Sequence, residues 1–442
     1  MQKNLNDHLI LRSLSEGFQT DKDNLPQFYM NVFKEEDEDY ELIGEWVKEL
    51  ISGHHQTVTA DDTWVVVDSS KQDMIVSALF LIPQTWRYED IELPVGRVEI
   101  VATHVDYRRR GLIRELIAVA HERSQSLGHI MQGITGIEHY YRRFGYAMAI
   151  DLGSGAQLPI TSIPKLKADE TTRFTLRPAT NDDLPNIEKW DAYDRRDGGL
   201  SVIRDWHYEI NQRFPNTPIK LQVYIIESID GEDVGFVAVH MDQFYRAIGV
   251  SRYIIGTRSS YYDTFDDVLR GIKAHADKFY ATLPDDKYPI KLRFDNAVSP
   301  SVYALISTTD NGLIRDLVYS WYIRVDDMPA FIKHITPVLE SRLAGSSMNR
   351  FSGTFKVSFH KLHGICMTFK DGKITDVTTT ELTQYEGDTA LPYDTFLNIV
   401  FGHRTRKELT YILPEVYANR KADLLFEALF PKVRSRIGGA IG

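Results

Sequence analysis

The chain has 442 residues, 43% of them hydrophobic and 26% charged, and a formal net charge of -11. At roughly 150 residues per domain this length predicts about three domains, with ample apolar material for buried cores. The negative charge argues against wholesale nucleic-acid binding, and it favours cationic ligands only weakly at cellular salt.

A lone cysteine, Cys366, excludes an intrachain disulfide and fits a reducing compartment. It sits in GICMTF, where a small apolar strand residue is the expected role rather than a nucleophile. The N-terminal stretch MQKNLNDHLILRSLSEG shows no h-region and no small-residue cleavage site. No apolar run nears the ~20 residues of a spanning helix, so a cytoplasmic location without a membrane span is expected.

In chain order, apolar spacing predicts helices over 24–34 and 40–51. The intervening EEDED, residues 35–39, reads as a solvated acidic turn. TWVVVD (63–68) and MIVSALFLI (74–82) are β-rich runs joined by a hairpin connection. A strand is expected over 95–105, then a helix over 112–127 closed by Gly128, which suits the left-handed C′ position. Strands over 129–135 and 146–150 bracket a tyrosine-rich turn. Residues 152–173 are rich in Gly, Ser, Pro and Thr and read as a linker. Gly153 and Gly155 start a dinucleotide-like pattern there, but no third glycine and no helix follow.

A second block repeats the order faintly, with strands over 222–228, 233–242 and 251–257. Its counterpart to the first block's cationic turn, RSSYYDTFDDVLRG, lacks an arginine–glycine signal and carries acids that would repel a pyrophosphate. A non-catalytic copy is expected. The third block opens with a strand and helix over 321–343, continues as a meander over 353–381 with a Lys-Asp-Gly-Lys turn, and ends in helices. His360 and His363, on a presumed strand, have a spacing that puts them on opposite faces, and no Cys/His cluster has zinc spacing, so no metal site is expected. Trp46, Trp64 and Trp86 are candidates for an amine pocket, with core packing the expected use for at least two.

The chemistry concentrates in VATHVDYRRRGLIRELIAVAHERSQSLG, residues 101–128. A short strand passes through Arg108, Arg109 and Arg110 into Gly111 and a helix starting at Leu112 and Ile113. A helix N-terminus offers unpaired N–H groups and about half a positive charge, and glycine admits close backbone approach. With the arginines this suits a pyrophosphate. It is not a P-loop, since no Gly-Lys-Ser/Thr follows. Coenzyme A joins a pyrophosphate to an amide-bearing arm that can pair with a strand edge, and Val101 to Val105 supplies such an edge. A basic solvated turn fits the same residues equally well.

The order resembles the GNAT acyltransferase superfamily, whose motif Arg/Gln-x-x-Gly-x-Gly/Ala corresponds to Arg108, Arg109, Arg110, Gly111, Leu112 and Ile113. Ile113 departs from the usual small residue. A tyrosine four residues before a Gly-Phe/Tyr pair is matched by YRRFGY, with Tyr141, Gly145 and Tyr146. RRRGL, the RFGY turn, a degenerate second GNAT-like block and a C-terminal block with FGHRT and ALFP together look like the Eis (enhanced intracellular survival) family.

The resemblance implies an α/β (α+β) fold with tandem GNAT-like domains on central mixed sheets, followed by an α+β domain like sterol carrier protein type 2. The boundaries would be 1–155 for the catalytic domain, 172–325 for the degenerate one and 326–442 for the C-terminal one. It implies acetyl transfer from acetyl-CoA to a small cationic amine or lysine side chain, within a hexamer. Cofactor contacts would come from Val101, Thr103, Arg108, Arg109, Gly111, Leu112 and Ile113. A backbone N–H near Thr103 would stabilise the oxyanion, and Tyr141 would be the general acid for the CoA thiolate. The C-terminal carboxylate, here Gly442, would serve as base. The tail GGAIG lacks the terminal aromatic of the family, and Glu138 is a second candidate. A broad acidic substrate cleft is expected. The alternative is an apolar-ligand carrier using the third block on a GNAT scaffold.

Overall fold

β-branched residues dominate TWVVVD, and in the computed structural model that run is fully buried at the centre of a nine-stranded sheet. The structure describes all residues except 1, 7, 35–39, 153–155, 196–198, 212–220, 243–245, 257, 282–287, 296–297, 310–313, 316–318, 361, 384 and 439–442. The acidic run 35–39, Gly153, Gly155 and Gly442 therefore lie outside the described residues.

The chain begins with β1 (Gln2–Asn4), β2 (Leu9–Ser13), α1 (Gln19–Phe33), α2 (Tyr40–Leu50), β3 (Thr63–Asp68), β4 (Met74–Tyr88), β5 (Ile91–Thr103), α3 (Leu112–Ser126), β6 (Met131–Ile134) and β7 (Ala147–Leu152). It continues through β8 (Ala156–Pro159), β9 (Phe174–Pro178), α4 (Leu184–Asp194), β10 (Leu200–Val202), α5 (Trp206–Asn211), β11 (Gln222–Ser228), β12 (Asp233–Asp242), β13 (Ala247–Ile255), α6 (Tyr261–Tyr280), β14 (Lys291–Phe294), α7 (Pro300–Ile306), β15 (Ile314–Arg315) and β16 (Tyr319–Arg324). The last part holds α8 (Met328–His334), α9 (Thr336–Ala344), β17 (Gly353–Ser358), β18 (Gly364–Lys370), β19 (Lys373–Thr380), β20 (Thr389–Ala390), α10 (Tyr393–Val400), α11 (Arg406–Ile412), β21 (Tyr417–Ala418) and α12 (Arg420–Leu429).

The first sheet runs β1-β2-β3-β4-β5-β6-β16-β7, with β10 paired to the far end of β4. β4 and β5 form a long antiparallel hairpin that closes at Tyr88 opposite Ile91. This strand pair extends past the predicted ends because Pro83 and Pro94, which normally argue against a central strand, are accommodated opposite Gly96 and Thr85. One face packs on α3 through Leu112, Leu116, Ile117 and Ala120. The other packs beneath α1 and α2 through Leu25, Tyr29, Val47 and Leu50. Each such side chain contributes about 1.5–3 kcal/mol of burial. A buried bidentate pair, Arg12 to Asp21 at 2.7 and 2.8 Å, ties α1 to β2.

The second sheet runs β15-β8-β14-β13-β12-β11-β9. Two strands cross between the sheets. β8, from the segment expected to be a linker, pairs with β14 and β15 of the second sheet. β16, which follows the second sheet in sequence, lies antiparallel between β6 and β7 of the first. A four-residue strand among Gly, Ser and Pro shows no readable periodicity; its partners supply the order.

The third sheet runs β19-β18-β17-β20-β21. Its apolar face is filled by Phe355, Val357 and Met367 against Phe396, Leu397 and Phe426, in a core continuous with Trp86 and Trp321 of the first sheet. His360 and Leu362 are left-handed and lie in the turn between β17 and β18, not on the expected strand. No cluster of three or more potential metal ligands occurs among the described residues. Trp64 and Trp86 are core residues as expected, and Trp46, on α2 itself, is partly buried against the core beneath α1 and α2.

Candidate active site

β5 and β6 run parallel and pair only from Val95 opposite Met131 to Arg97 opposite Gly133. Beyond Arg97 they diverge, and a cavity of about 990 Å³ opens between the strand segment 99–103 and the residues from Ile134 to Phe144. Parallel strands that part leave backbone groups unpaired at their C-terminal ends, which is where open α/β sheets take ligands.

The wall contributed by β5 is irregular. Its pairing with β4 slips between Ala78 and Phe80, and Ile100 has φ of 47°. A β-branched residue in the left-handed region is strained. Plain alternation would put Val98 and Ile100 on one face, yet Val98 packs on the α3 side and Ile100 beneath α1 and α2. The bulge re-aims the strand at this point. Glu99, its neighbour, lines the cavity and is 13% exposed. Arg97, 4% exposed, holds it through Nε and Nη2.

The rim is the cationic turn. After a short 3-10 turn over Val105–Tyr107, Arg109 and Gly111 both adopt left-handed conformations, with φ of 66° and 82°. The first helical bonds of α3 run from Arg114 and Glu115 back to Gly111, so the preceding N–H groups face outward without intrahelical acceptors. Tyr107 anchors the turn from below. Its hydroxyl donates to Asp68 at 2.5 Å, and its ring lies between the Arg110 guanidinium at 4.6 Å and the Lys71 ammonium at 5.1 Å. Arg110 also donates to the Asp106 carbonyl at 2.9 Å.

The opposite wall carries Tyr141, in the short turn Tyr140–Phe144 that Gly145 ends at φ of 86°. Tyr141 is 4% exposed, ringed by Tyr140, Tyr146 and Tyr322 at 5.2, 6.4 and 5.6 Å between centroids. Burial first, then the Glu99 carboxylate, pushes its phenol pKa well above the ordinary value. The hydroxyl is therefore neutral and a proton donor.

The sequence-derived candidates Val101, Thr103, Arg108, Arg109, Gly111, Leu112, Ile113 and Tyr141 all line this one cavity. Gly442 lies outside the described residues. Glu138 is exposed and does not line the cavity. The charged lining among described residues is Arg108, Arg109, Arg110, Arg114 and Arg143, with Glu99 as the one carboxylate; the acidic run 35–39, which follows the lining residues Val32 and Phe33 in sequence, lies outside the described residues. Glu99 escaped the sequence reading because an acid inside an apolar strand looks like an ordinary solvated alternate position. The sole hint was its place two residues before Val101. The three tryptophans do not line this cavity.

Residues 16–149 match a family model described as an acetyltransferase (GNAT) domain. No curated protein matches the chain. Three solved structures share its fold over nearly the whole length. One is a conserved protein of unknown function from Enterococcus faecalis, described as a probable N-acyltransferase, at 11% identity, covering 97% of this chain and 98% of that one with a TM-score of 0.65. A GCN5-related N-acetyltransferase from Anabaena variabilis has 14% identity, covers 97% and 99%, and has a TM-score of 0.65. Eis1 from Mycobacterium abscessus has 14% identity, covers 98% and 100%, and has a TM-score of 0.55.

Proposed function

We propose that this acetyltransferase uses acetyl-CoA to acetylate a primary amine, carried by a small cationic molecule such as an aminoglycoside or polyamine, or by a lysine side chain. The enzyme class follows from the acetyltransferase domain at 16–149; donor, acceptor and residue roles are the proposal. The carrying observation is the single cavity in which a parted strand edge, a cationic helix N-terminus and a buried neutral phenol meet.

In this reading the pantetheine arm pairs along 99–103 as an added strand, and the pyrophosphate sits on the N–H groups opening α3, flanked by Arg108 and Arg109. The thioester carbonyl then faces the bulge. The strand's irregularity centres on Ile100 and Val101, ahead of Thr103, so the oxyanion donor is assigned to a backbone N–H there. The amine lone pair attacks the carbonyl carbon, the C–S bond breaks, and Tyr141 donates to the departing thiolate sulfur.

The proton lost by the amine goes to a carboxylate. Glu99 is supported by its place in the cavity. Gly442 is supported by the approach of the tail: Trp321 Nε1 donates to the Gly438 carbonyl at 3.2 Å, and the Trp321 ring lies 5.1 Å from the Arg97 guanidinium. Four further residues span up to about 14 Å.

The second sheet is proposed to be non-catalytic. A cavity beside the first turns of its α6 is lined by Glu170, Asp263, Asp266 and Asp267, with Arg173 and Arg270 paired to three of these acids, and by no residue of β13 or β14, so no arginine–glycine cradle faces a parted strand edge there. The hexamer and the sterol-carrier-like character of 326–442 rest on the family resemblance, and the cytoplasmic location on the lone cysteine and the apolar patterning of the sequence; all three belong to the same proposal. No helix among the described residues is long and apolar enough to cross a membrane.

Calorimetry with CoA and acetyl-CoA, followed by thiol release with a panel of amines, tests the reading. Saturable uptake of CoA and amine-dependent thiol release are expected. Folded protein that takes up neither cofactor form would end it.

A further inference from the structure

Tyr141 does not stand on its own sheet alone. The loop from Thr135 to His139 leads from β6 into its turn, and two side chains of β16 hold that loop. The Tyr322 hydroxyl oxygen accepts from the His139 backbone N–H at 2.5 Å, and the Tyr319 hydroxyl donates to the Gly136 carbonyl. Both anchored residues have left-handed or positive backbone angles, φ of 64° at His139 and 127° at Gly136. A non-glycine residue held there needs an outside partner to keep it. His139 is also the residue that caps the Tyr141 turn, where backbone N–H groups lack internal acceptors.

The contact is not only with backbone. The Tyr322 ring meets the Tyr141 ring edge-on at 5.6 Å, with 64° between the planes. A Cβ built on Gly136 would come within 3.5 Å of the Tyr141 hydroxyl, so the loop fixes the space around that oxygen as well. Tyr322 itself is fully buried, pairing with Ile134 on one side and Met148 on the other.

We propose that Tyr322 is a positioning residue for Tyr141: the strand returning from the second sheet sets where the proton donor's hydroxyl lies. This rests on Tyr141 being the general acid. It gives the second, non-catalytic sheet a part in the reaction, because that sheet's chain delivers β16 into the first. Tyr319 makes a second tie, more exposed, to the same loop.

The test is a double-mutant cycle measured as kcat and KM for acetyl-CoA, with Tyr322→Phe and Tyr141→Phe singly and together. Tyr322→Phe keeps the ring and removes the hydrogen bond. A displacement of the donor by the order of an ångström lowers kcat by about tenfold to a hundredfold while KM for acetyl-CoA moves less than about twofold. In the Tyr141→Phe background the same change causes no further loss, because its effect runs through the missing hydroxyl. Additive losses, or a kcat for Tyr322→Phe equal to wild type, overturn the proposal. Tyr141→Phe alone reports on the general-acid reading, so a full-activity Tyr141→Phe enzyme would defeat that reading visibly and this inference with it. Should Tyr322→Phe fold poorly, Tyr319→Phe gives a smaller loss of kcat in the same direction, also absent in the Tyr141→Phe background; an additive loss there counts against the proposal.

Discussion

Arg97 grips Glu99 with two nitrogens, Nε and Nη2, each 2.6 Å from the same carboxylate oxygen. The second carboxylate oxygen is left toward the bulge, 3.4 Å from the Ile100 nitrogen. The ion pair, between two nearly buried side chains, is one-sided: it occupies one carboxylate oxygen and leaves the other on the bulge side. Glu99→Gln preserves shape and removes one of the two carboxylates proposed as base. The expected result is a fall in kcat/KM of about a hundredfold or more at neutral pH, with CoA affinity unchanged. Activity should recover as pH rises and the amine deprotonates in solution. Unaltered turnover at pH 7 would remove Glu99 from the mechanism.

Removing residues 439–442 asks the same question of the other carboxylate. Ile437 is fully buried and Gly438 is tied to Trp321, so the truncated chain should keep its fold. A drop in kcat with an unchanged thermal midpoint is expected if Gly442 accepts the proton. Full activity of the truncated enzyme assigns that task to Glu99.

For Tyr141→Phe, kcat should fall by about tenfold to a thousandfold with acetyl-CoA binding retained. The phenol's raised pKa has a further consequence. Below pH ~10, the ordinary phenol value, Tyr141 stays protonated. The wild-type rate should therefore show no decline with pH up to that point that Tyr141→Phe abolishes; such a lost alkaline limb would mean the phenol ionises and is not the acid.

Arg108→Ala and Gly111→Ala probe the cradle by different physics. Arg108→Ala removes a charge and should weaken CoA binding about tenfold, with a reduced dependence on salt. Gly111 has φ of 82°, and nothing lies within 4 Å of an added Cβ. Its substitution strains the backbone by about 1 kcal/mol rather than clashing, so the turn should relax and CoA affinity should fall with a drop of no more than about 2 °C in thermal midpoint. Titration calorimetry at two salt concentrations separates the two effects.

Stability should fall on mild acidification. Burial lowers the pKa of His121, His129 and His240 from 6.5 to about 4 each. Between those values the unfolded chain binds protons that the folded chain does not, so unfolding is favoured as pH drops. Above pH 6.5 both states are neutral at these sites and the effect vanishes. The thermal midpoint should decline from pH 6.5 toward 4, with up to three protons taken up on unfolding. His121→Gln, at a ring bonded to the Tyr146 hydroxyl at 2.8 Å, should take up one proton fewer. A midpoint flat across that interval would contradict the partial burial of these rings.

Much of the site was written locally. Arg108 to Ile113 form their cradle from consecutive residues, where left-handed turns and a helix start need no distant partner, and Tyr141 lies four residues before the Gly145 that ends its turn. β3, β11 and β12 could be read to the residue from β-branched runs. The acceptor side could not. Glu99 lines the cavity beside a bulge at Ile100, where Arg97 holds it, and a bulge leaves no mark in alternation until the partner strand is known.

By itself the sequence determined the strand, the cationic turn and the helix that follow one another from 99 to 126, since their conformations depend on near neighbours. Only the tertiary structure decided that β8 crosses to the second sheet and β16 returns to the first, bringing Tyr322 against Tyr141. Strand pairing is a contact between segments far apart in the chain, here 183 residues from His139 to Tyr322, and its register is chosen by which faces the whole fold can bury.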